Sequence, residues 1–127
     1  MSDIHEIHEM LRDYNRRHCE ASENVPLGVF LENETGRKFA GLTGETFGNW
    51  LCIWFLFVGE AFRGQGLSSR LLEAAENEAR QRGCKYAFVD TFSFQAPAFY
   101  EKHRYREVFT LENYPYTEKR HYYTKAL

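Results

Sequence analysis

The sequence predicts one α/β domain of 127 residues, built on a mixed sheet of the α+β kind. Two β-like segments joined by a turn-forming tetrapeptide precede the strongest apolar run, residues 51–58, so the first strands should be antiparallel. An amphipathic helix and a second apolar segment follow that run, and this order predicts a central parallel pair. We therefore expect antiparallel N-terminal strands, a central parallel pair and helices on both faces.

Composition and charge exclude several classes of protein. Apolar residues make up 43% and aromatic residues 17% of the chain, enough for a substantial core. Sixteen basic and eighteen acidic residues form no long run of one sign, which argues against nucleic acid or a membrane surface as the main partner. The first ten residues are polar and acidic, so we expect no secretory signal, no membrane span and a cytoplasmic protein. The three cysteines form no Cys-x-x-Cys pair, and neither a disulfide framework nor a zinc site is indicated.

The first predicted element is a helix over residues 2–19, capped by Ser2 or Asp3. Its apolar residues recur at helical spacing on one face: Ile4, Ile7, Leu11 and Tyr14. The remaining positions carry residues that we interpret as solvent-facing rather than metal-binding: His5, His8, His18 and Cys19. A polar connection is expected over residues 20–26.

Strands are predicted next at 27–32, 37–47 and 50–58, with a hairpin at 33–36 and a tight turn at 48–49. Gly41 and Gly44 weaken the second of these strands or mark a bulge.

The second half of the chain alternates helices and strands. The expected elements are a helix that runs to about residue 82 and stops at Gly83, a strand at 85–91, a helix at 93–103, and strands at 105–111 and 119–125. Pro97 must lie in the first turn of the helix predicted at 93–103. Residues 113–117 should form the loop between the last two strands.

The turn after the apolar run has the features of an anion site. It carries Gly59, Gly64 and Gly66 and leads directly into a helix, whose first backbone N–H groups have no partner within the helix. The positive end of the helix dipole and the side chain of Arg63 add to the attraction for phosphate. A nucleotide P-loop is excluded because no Gly-Lys-Ser/Thr follows, and the dinucleotide fingerprint is excluded because Ser69 stands where its third glycine would be.

Two motifs resemble those of the GNAT N-acetyltransferase superfamily and together span residues 50–108. The first resembles its pyrophosphate loop, Q/R-x-x-G-x-G/A: Arg63, Gly64, Gln65, Gly66, Leu67 and Ser68. The second resembles its A-x-x-Φ-Y-E-K-x-G-F run, where Φ is apolar: Ala96, Phe99, Tyr100, Glu101, Lys102, His103, Arg104 and Tyr105. The sequence departs from the family at Ser68 in place of glycine or alanine, at Arg104 in place of glycine, and at Ser93 where asparagine is frequent. Because a helix is predicted almost at once, the first strand of the family is expected to be missing.

The resemblance implies acetyl-coenzyme A (acetyl-CoA) as donor, a primary amine of a small molecule as acceptor, direct attack in a ternary complex, and no metal. It assigns the diphosphate to the backbone of Arg63, Gly64, Gln65, Gly66, Leu67 and Ser68. The pantetheine arm would run along Leu56, Phe57 and Val58, where the parallel strands are expected to splay near Val58. Ser93, Phe99 and Lys102 of the second motif would complete the coenzyme site.

The same resemblance makes Tyr100 the candidate general acid toward the departing thiolate. A thiol has a pKa of about 8.5 and tyrosine about 10, so full transfer is uphill by about 2 kcal/mol and Tyr100 would act largely as a hydrogen-bond donor. Glu45 and Asp90 are candidate general bases, Glu60 is a third, and the choice between them stays open. An aromatic acceptor site is one interpretation of Phe47, Trp50, Trp54, Tyr114 and Tyr116, although Trp54 is better interpreted as a core residue.

Two other functions are weighed against small-molecule acetylation. A protein-amine acetyltransferase would need an acidic groove, and no acidic run is present to build one. A non-catalytic acyl-CoA sensor would be favoured by loss of Tyr100, which is present. We also expect a possible homodimer through an exposed final strand.

Overall fold

A six-stranded mixed sheet organises the chain in the computed structural model, which describes residues 2–20, 23–93 and 95–127. The elements in chain order are α1 (Asp3–His18), β1 (Val25–Glu32), β2 (Lys38–Phe47), β3 (Trp50–Val58), α2 (Leu67–Gln81), β4 (Tyr86–Phe92), α3 (Pro97–Lys102), β5 (Arg106–Leu111) and β6 (Arg120–Ala126). The strand order is β1-β2-β3-β4-β6-β5, and only β3 and β4 pair in parallel. The predicted fold class and the central parallel pair are confirmed.

The predicted helix at 93–103 begins too early. In the structure α3 starts at Pro97, with Ala96 as its N-cap in a non-helical conformation, φ −146° and ψ 48°. Proline disfavours helical backbone at the residue before it, so Pro97 can only be the first helical residue here. The predicted connection at 20–26 also ends earlier, because β1 begins at Val25. Residues 21, 22 and 94, which fall in these two predictions, lie outside the described residues.

A β-bulge in β3 changes which side chains face the core. Thr43 of β2 lies opposite Phe55 and Gly44 lies opposite Ile53, so Trp54 is the extra residue. The buried positions accordingly shift from odd numbers, Leu51 and Ile53, to the even-numbered Val58. Gly44 did indicate a bulge, but the extra residue lies on the neighbouring strand. A Cβ at Gly44 would collide with the carbonyl oxygen of Cys52, which explains the glycine.

The core lies between α2 and one face of the sheet, which we call the inner face. Helix α2 contributes Leu71, Leu72, Ala75 and Ala79, all fully buried. The sheet contributes apolar side chains from β1 to β4: Leu27, Ala40, Leu42, Leu51, Ile53, Val58, Ala87 and Val89. Three tyrosines extend the core toward α3: Tyr100, Tyr105 and Tyr123. The outer face carries the alternate side chains of these strands.

One carboxylate, that of Glu76 on α2, is buried in this core and is only 3% exposed. The Tyr105 hydroxyl donates to it at 2.7 Å, and the Lys125 ammonium on β6 donates to both of its oxygens at 2.9 and 3.0 Å. Burial, followed by the charge of Glu76, raises the pKa of Tyr105, so this hydroxyl stays protonated. The three side chains join α2 to the C-terminal strands.

The final strand is not an edge of the sheet. Strand β6 lies between β4 and β5, so the edges are β1 and β5. The expectation of an exposed final strand that pairs with a second copy is therefore wrong. Among the helices of the described residues, none combines the length and apolar character needed to cross a membrane.

Helix α1 forms as predicted, and the Ser2 side chain accepts a hydrogen bond from the His5 amide at 3.1 Å. None of its residues is buried, however, so its apolar face does not pack on the chain's own core.

Candidate active site

An opening between β3 and β4 is the central feature of the candidate site. The parallel pairing runs from Trp50 opposite Tyr86 to Ile53 opposite Val89 and then stops. Both strands continue, β3 to Val58 and β4 to Phe92. The separation predicted near Val58 thus begins directly after Ile53, at the bulged residue, because a bulge bends its strand away from a neighbour. Backbone groups along this part of β3 have no partner in β4 and, apart from the Val58 carbonyl that Arg63 contacts, are available to a ligand.

The glycine-rich loop follows the end of β3 and forms an open cradle. Gly64 and Gly66 have φ values of 81° and 76°, in the left-handed region that glycine tolerates best. Among the described residues, no atom lies within 4 Å of the place where either residue would carry a Cβ, apart from its chain neighbours. Gly66 is the N-cap of α2, so the first amides of the helix, from Leu67 on, point into this space without helical acceptors. The arrangement suits an anion such as a diphosphate.

Arg63 contacts the end of β3 from the glycine-rich loop. Its Nε donates to the Val58 carbonyl oxygen at 3.0 Å, and its guanidinium lies 5.6 Å from the centre of the Phe57 ring. Its backbone amide donates to the Glu60 carbonyl at 3.4 Å. Arg63 therefore fixes the loop to the end of β3, and the amides free to meet a ligand begin after it.

Three residues of β3 were predicted to contact the pantetheine arm: Leu56, Phe57 and Val58. Their side chains lie on different faces of the sheet. Val58 is buried and Leu56 packs against the core, whereas Phe57 lies exposed on the outer face. Contacts of a ligand with 56 and 58 would therefore be made through their backbone.

Tyr100 lies in α3 with its ring in the core and its hydroxyl at the surface. The ring packs against Phe99, Tyr105 and Tyr123, with centroids 5.1 to 6.3 Å apart, and the residue is 5% exposed. Within the described part of the chain the hydroxyl has no hydrogen bond, and every fully buried side-chain polar atom there has one, so the hydroxyl reaches solvent. Burial, with a smaller effect of the Asp90 charge, raises the pKa of Tyr100 to about 12. Tyr100 is thus a neutral hydrogen-bond donor at physiological pH.

Asp90 is held by an arginine that the sequence did not single out. It alternates with the buried Val89 and Thr91, so its carboxylate lies on the outer face. Arg120 Nε donates to Asp90 Oδ2 at 2.7 Å, and this hydrogen bond raises the pKa of Arg120. Arg120 also donates to the Tyr114 hydroxyl at 3.3 Å. To accept a proton, Asp90 would have to give up its ion pair with Arg120.

The other two candidate bases, Glu45 and Glu60, form no ion pair within the described residues. Glu45 lies on the outer face, opposite Cys52 of β3, which is in turn opposite Phe88 of β4. That row lies one residue before the last paired row, Ile53 opposite Val89, after which the two strands separate. Burial, followed by the Glu45 charge, raises the pKa of the Cys52 thiol. Glu60 is exposed in the short helical turn Glu60–Phe62.

The second motif connects the elements around the opening. The Ser93 hydroxyl donates to Glu118 Oε2 at 2.7 Å and accepts from the Lys119 amide at 3.3 Å, so it joins β4 to β6 and does not cap α3. Ser69, in the first turn of α2, lies 2.8 Å from His103 Nε2, a link that the sequence did not predict.

The remaining residues of this motif lie at the end of α3. The His103 ring packs on Phe99 with centroids 4.6 Å apart, and Lys102 lines a cavity of about 700 Å³ between α2, α3 and the end of β6. Arg104 has φ 72°, the left-handed conformation expected where the family has glycine.

The aromatic residues proposed for an acceptor site do not form one wall. Trp54 is 47% exposed at the bulge, so its interpretation as a core residue is wrong. Trp50 stacks near Tyr86, with centroids 5.0 Å apart, at the opposite end of the parallel pair from the opening. Tyr114 lies beside Arg120 and Tyr116 is exposed. Within residues 2–20, 23–93 and 95–127, no three His, Cys, Asp or Glu side chains are placed to hold a metal ion.

Several known proteins are similar to this chain in sequence and fold. Residues 3–105 match the model of the acetyltransferase (GNAT) family. The chain is 37% identical to acetyltransferase Atu2258 of Agrobacterium fabrum over 83% of this chain and 77% of that protein. It is 38% identical to the blasticidin-S acetyltransferase of Streptomyces morookaense over 78% and 76% of the two chains. A crystal structure of an acetyltransferase from Bacillus cereus superposes on 100% of this chain and 94% of its own, with 34% identity and a TM-score of 0.89.

Proposed function

Because the chain belongs to the acetyltransferase (GNAT) family, we propose that it transfers an acetyl group from acetyl-CoA to a primary amine of a small molecule. The observation that carries the proposal is the opening after Ile53 and Val89, directly beside the cradle at Gly64 and Gly66. A diphosphate in the cradle would leave the pantetheine arm free to enter between β3 and β4. No metal takes part in the proposed reaction.

The reaction proposed is direct attack. The amine nitrogen adds to the thioester carbonyl carbon, the C–S bond then breaks, and coenzyme A leaves as a thiolate that takes up a proton. An unpaired backbone N–H on the open edge of β3 can donate to the oxyanion, an interaction worth about 3 kcal/mol in other enzymes.

Tyr100 would assist the departure of sulfur from the inner side of the sheet. With a pKa of about 12 against roughly 8.5 for a thiol, complete transfer of its proton would cost about 5 kcal/mol. Tyr100 therefore serves as a hydrogen-bond donor to the developing thiolate, and solvent supplies the final proton.

The acceptor amine would arrive on the outer face, where Glu45 and Asp90 lie. An alkylammonium with a pKa of about 10.4 must lose a proton before it can attack, at a cost of about 4.6 kcal/mol near pH 7. Glu45 is the better placed of the two bases, because Asp90 is paired with Arg120 while Glu45 has no ion-pair partner in the described residues. The base and Tyr100 would then act from opposite faces of the sheet.

The relatives favour a small molecule over a protein as acceptor. The blasticidin-S acetyltransferase, which is 38% identical, is named for a small-molecule substrate. We propose the same class of acceptor for this chain.

The test is release of free thiol from acetyl-CoA in the presence of a panel of primary amines that includes blasticidin S and a lysine peptide. We expect turnover with at least one small amine, and little with the peptide. Turnover of the peptide alone would favour protein acetylation. Binding of acetyl-CoA by calorimetry without turnover of any amine would favour the sensor.

Gly66→Ala tests the cradle and has a matched control at the other end of α2. Gly66 and Gly83 both have positive φ, 76° and 90°, and open space where a Cβ would lie. Alanine should therefore destabilise the fold equally at the two positions, by about 1–2 kcal/mol. Only Gly66→Ala would place a methyl group in the proposed diphosphate site, and we expect it to weaken acetyl-CoA binding at least tenfold by calorimetry. Equal affinities in the two variants would contradict the assignment of the cradle.

A further inference from the structure

Helix α1 exposes an apolar stripe that its own chain does not cover. The stripe consists of Ile4, Ile7, Leu11 and Tyr14, which are 54 to 75% exposed. A well-capped helix of 16 residues gains most of its stability from packing such a stripe. The exposed stripe therefore indicates a packing partner.

The chain's own sheet is not that partner. Between α1 and the end of β2 lies a groove of about 1090 Å³, and α1 lines it mainly with polar residues. These include His5, His8, Arg12 and Asn15, and Leu11 alone of the stripe reaches the groove. At 100° per residue, the residues that face the groove centre about 90° around the helix from the stripe, and Ile7 and Tyr14 point farthest from the groove. Closing the groove would thus bury the polar side of the helix and leave Ile7 and Tyr14 exposed.

A complementary apolar surface lies on the outer face of the same chain. This phenylalanine platform consists of Phe30 on β1 and Phe55 and Phe57 on β3, which are 49, 73 and 61% exposed. Phe30 and Phe57 lie in one row across the sheet, with Gly41 of β2 between them. The Phe30 ring lies over Gly41, 2.9 Å from where a Cβ would be, which keeps the platform flat.

The dimensions and charges of the two surfaces agree. Strands β1 and β3 are about 9.6 Å apart, two strand spacings, and a helix with its side chains is about 10 Å wide. Lys38 lies 5.7 Å from the centre of the Phe30 ring, and Asp3 and Glu6 flank the stripe on α1. Helix α1 is about 24 Å long, so two reciprocal contacts would bury roughly 1,000 Å², the lower limit for a stable interface.

We propose that α1 of each chain packs its stripe on the phenylalanine platform of a second copy, in a reciprocal two-fold dimer. Each chain then supplies one helix and receives one, and both exposed apolar surfaces are buried. The proposal concerns assembly alone and does not depend on the reaction proposed above.

Sedimentation equilibrium tests the proposal. The wild type, 15.0 kDa as a monomer, should sediment as a dimer of about twice that mass at micromolar concentration. The stripe variant Ile7→Glu/Leu11→Glu should be monomeric, with a dissociation constant raised at least 100-fold, and so should Phe30→Glu on the platform. The matched control His5→Glu/Arg16→Glu puts two glutamates on the polar side of α1 and should remain dimeric. A monomeric wild type, or a Phe30→Glu variant that still dimerises through α1, would overturn the proposal.

Cross-linking distinguishes a second copy from the chain's own sheet. In a Cys19→Ser background, chains carrying Ile7→Cys are mixed with chains carrying Phe55→Cys and oxidised. A covalent dimer of the two different chains is expected on a non-reducing gel. If the double variant instead closes within one chain and runs as a monomer, α1 packs on its own sheet and the proposal is wrong.

Discussion

Replacing Tyr100 with phenylalanine is expected to lower kcat about 100-fold, with little change in KM for acetyl-CoA. The ring would keep its packing against Phe99, Tyr105 and Tyr123, so the variant loses only the hydroxyl. That hydroxyl is unpaired within the described residues, hence its removal leaves no buried group without a partner. The measurement is steady-state thiol release with the best amine of the panel.

Tyr86→Phe is the matched control for this prediction. Tyr86 begins β4, is 41% exposed and lies at the far end of the parallel pair from the opening, so kcat should be unaffected. Because the pKa of Tyr100 is about 12, its ionisation should cause no loss of rate as the pH rises from 8 to 10. Equal kcat values for wild type and Tyr100→Phe would remove Tyr100 from the mechanism.

Replacing Glu76 with alanine is expected to lower the free energy of unfolding by about 3–5 kcal/mol. The variant leaves the Lys125 ammonium, mostly buried, and the Tyr105 hydroxyl without their acceptor. For a domain of this size the melting temperature should fall by roughly 10–20 °C. Urea unfolding followed by circular dichroism measures the change.

Two further variants distinguish the effect of losing the ion pair on stability from the effect of losing packing. Glu73→Ala removes an exposed carboxylate from the same helix and should change stability by less than about 0.5 kcal/mol. Glu76→Leu combined with Lys125→Met and Tyr105→Phe replaces all three linked polar groups with apolar side chains and should restore most of the stability. A loss of under 1 kcal/mol in Glu76→Ala would show that Lys125 and Tyr105 find other partners.

Local patterns predicted most of the secondary structure because each pattern depends on near neighbours in sequence. The amphipathic spacing of Leu71, Leu72, Ala75 and Ala79 was sufficient for α2, and Gly83 for its end. The order of strand, helix and strand was sufficient for the parallel pair. The late start of α3 also follows from a local rule, because the residue before a proline avoids helical backbone. The prediction let the helix begin before Pro97, which this rule disfavours.

Features that depend on pairing between distant residues could not be predicted in this way. Arg120 donates to Asp90, thirty residues earlier in the chain, only because β6 lies beside β4 inside the sheet and not at its edge. The identity of the bulged residue depends on the register of β2 against β3, so Gly44 could indicate the place but not Trp54. The stripe on α1 was visible in the sequence, whereas the surface that covers it is set by tertiary and quaternary structure.

The extra residue in β3 has a consequence for changes in chain length. Removing Trp54 would leave Ile53 opposite Gly44 and Phe55 opposite Thr43, so the strand would alternate regularly and each remaining side chain would keep its face. The same deletion would straighten β3 toward β4 and narrow the gap in which a substrate could lie. A single-residue deletion there would therefore close the entrance of the protein while its core layer kept the same side chains.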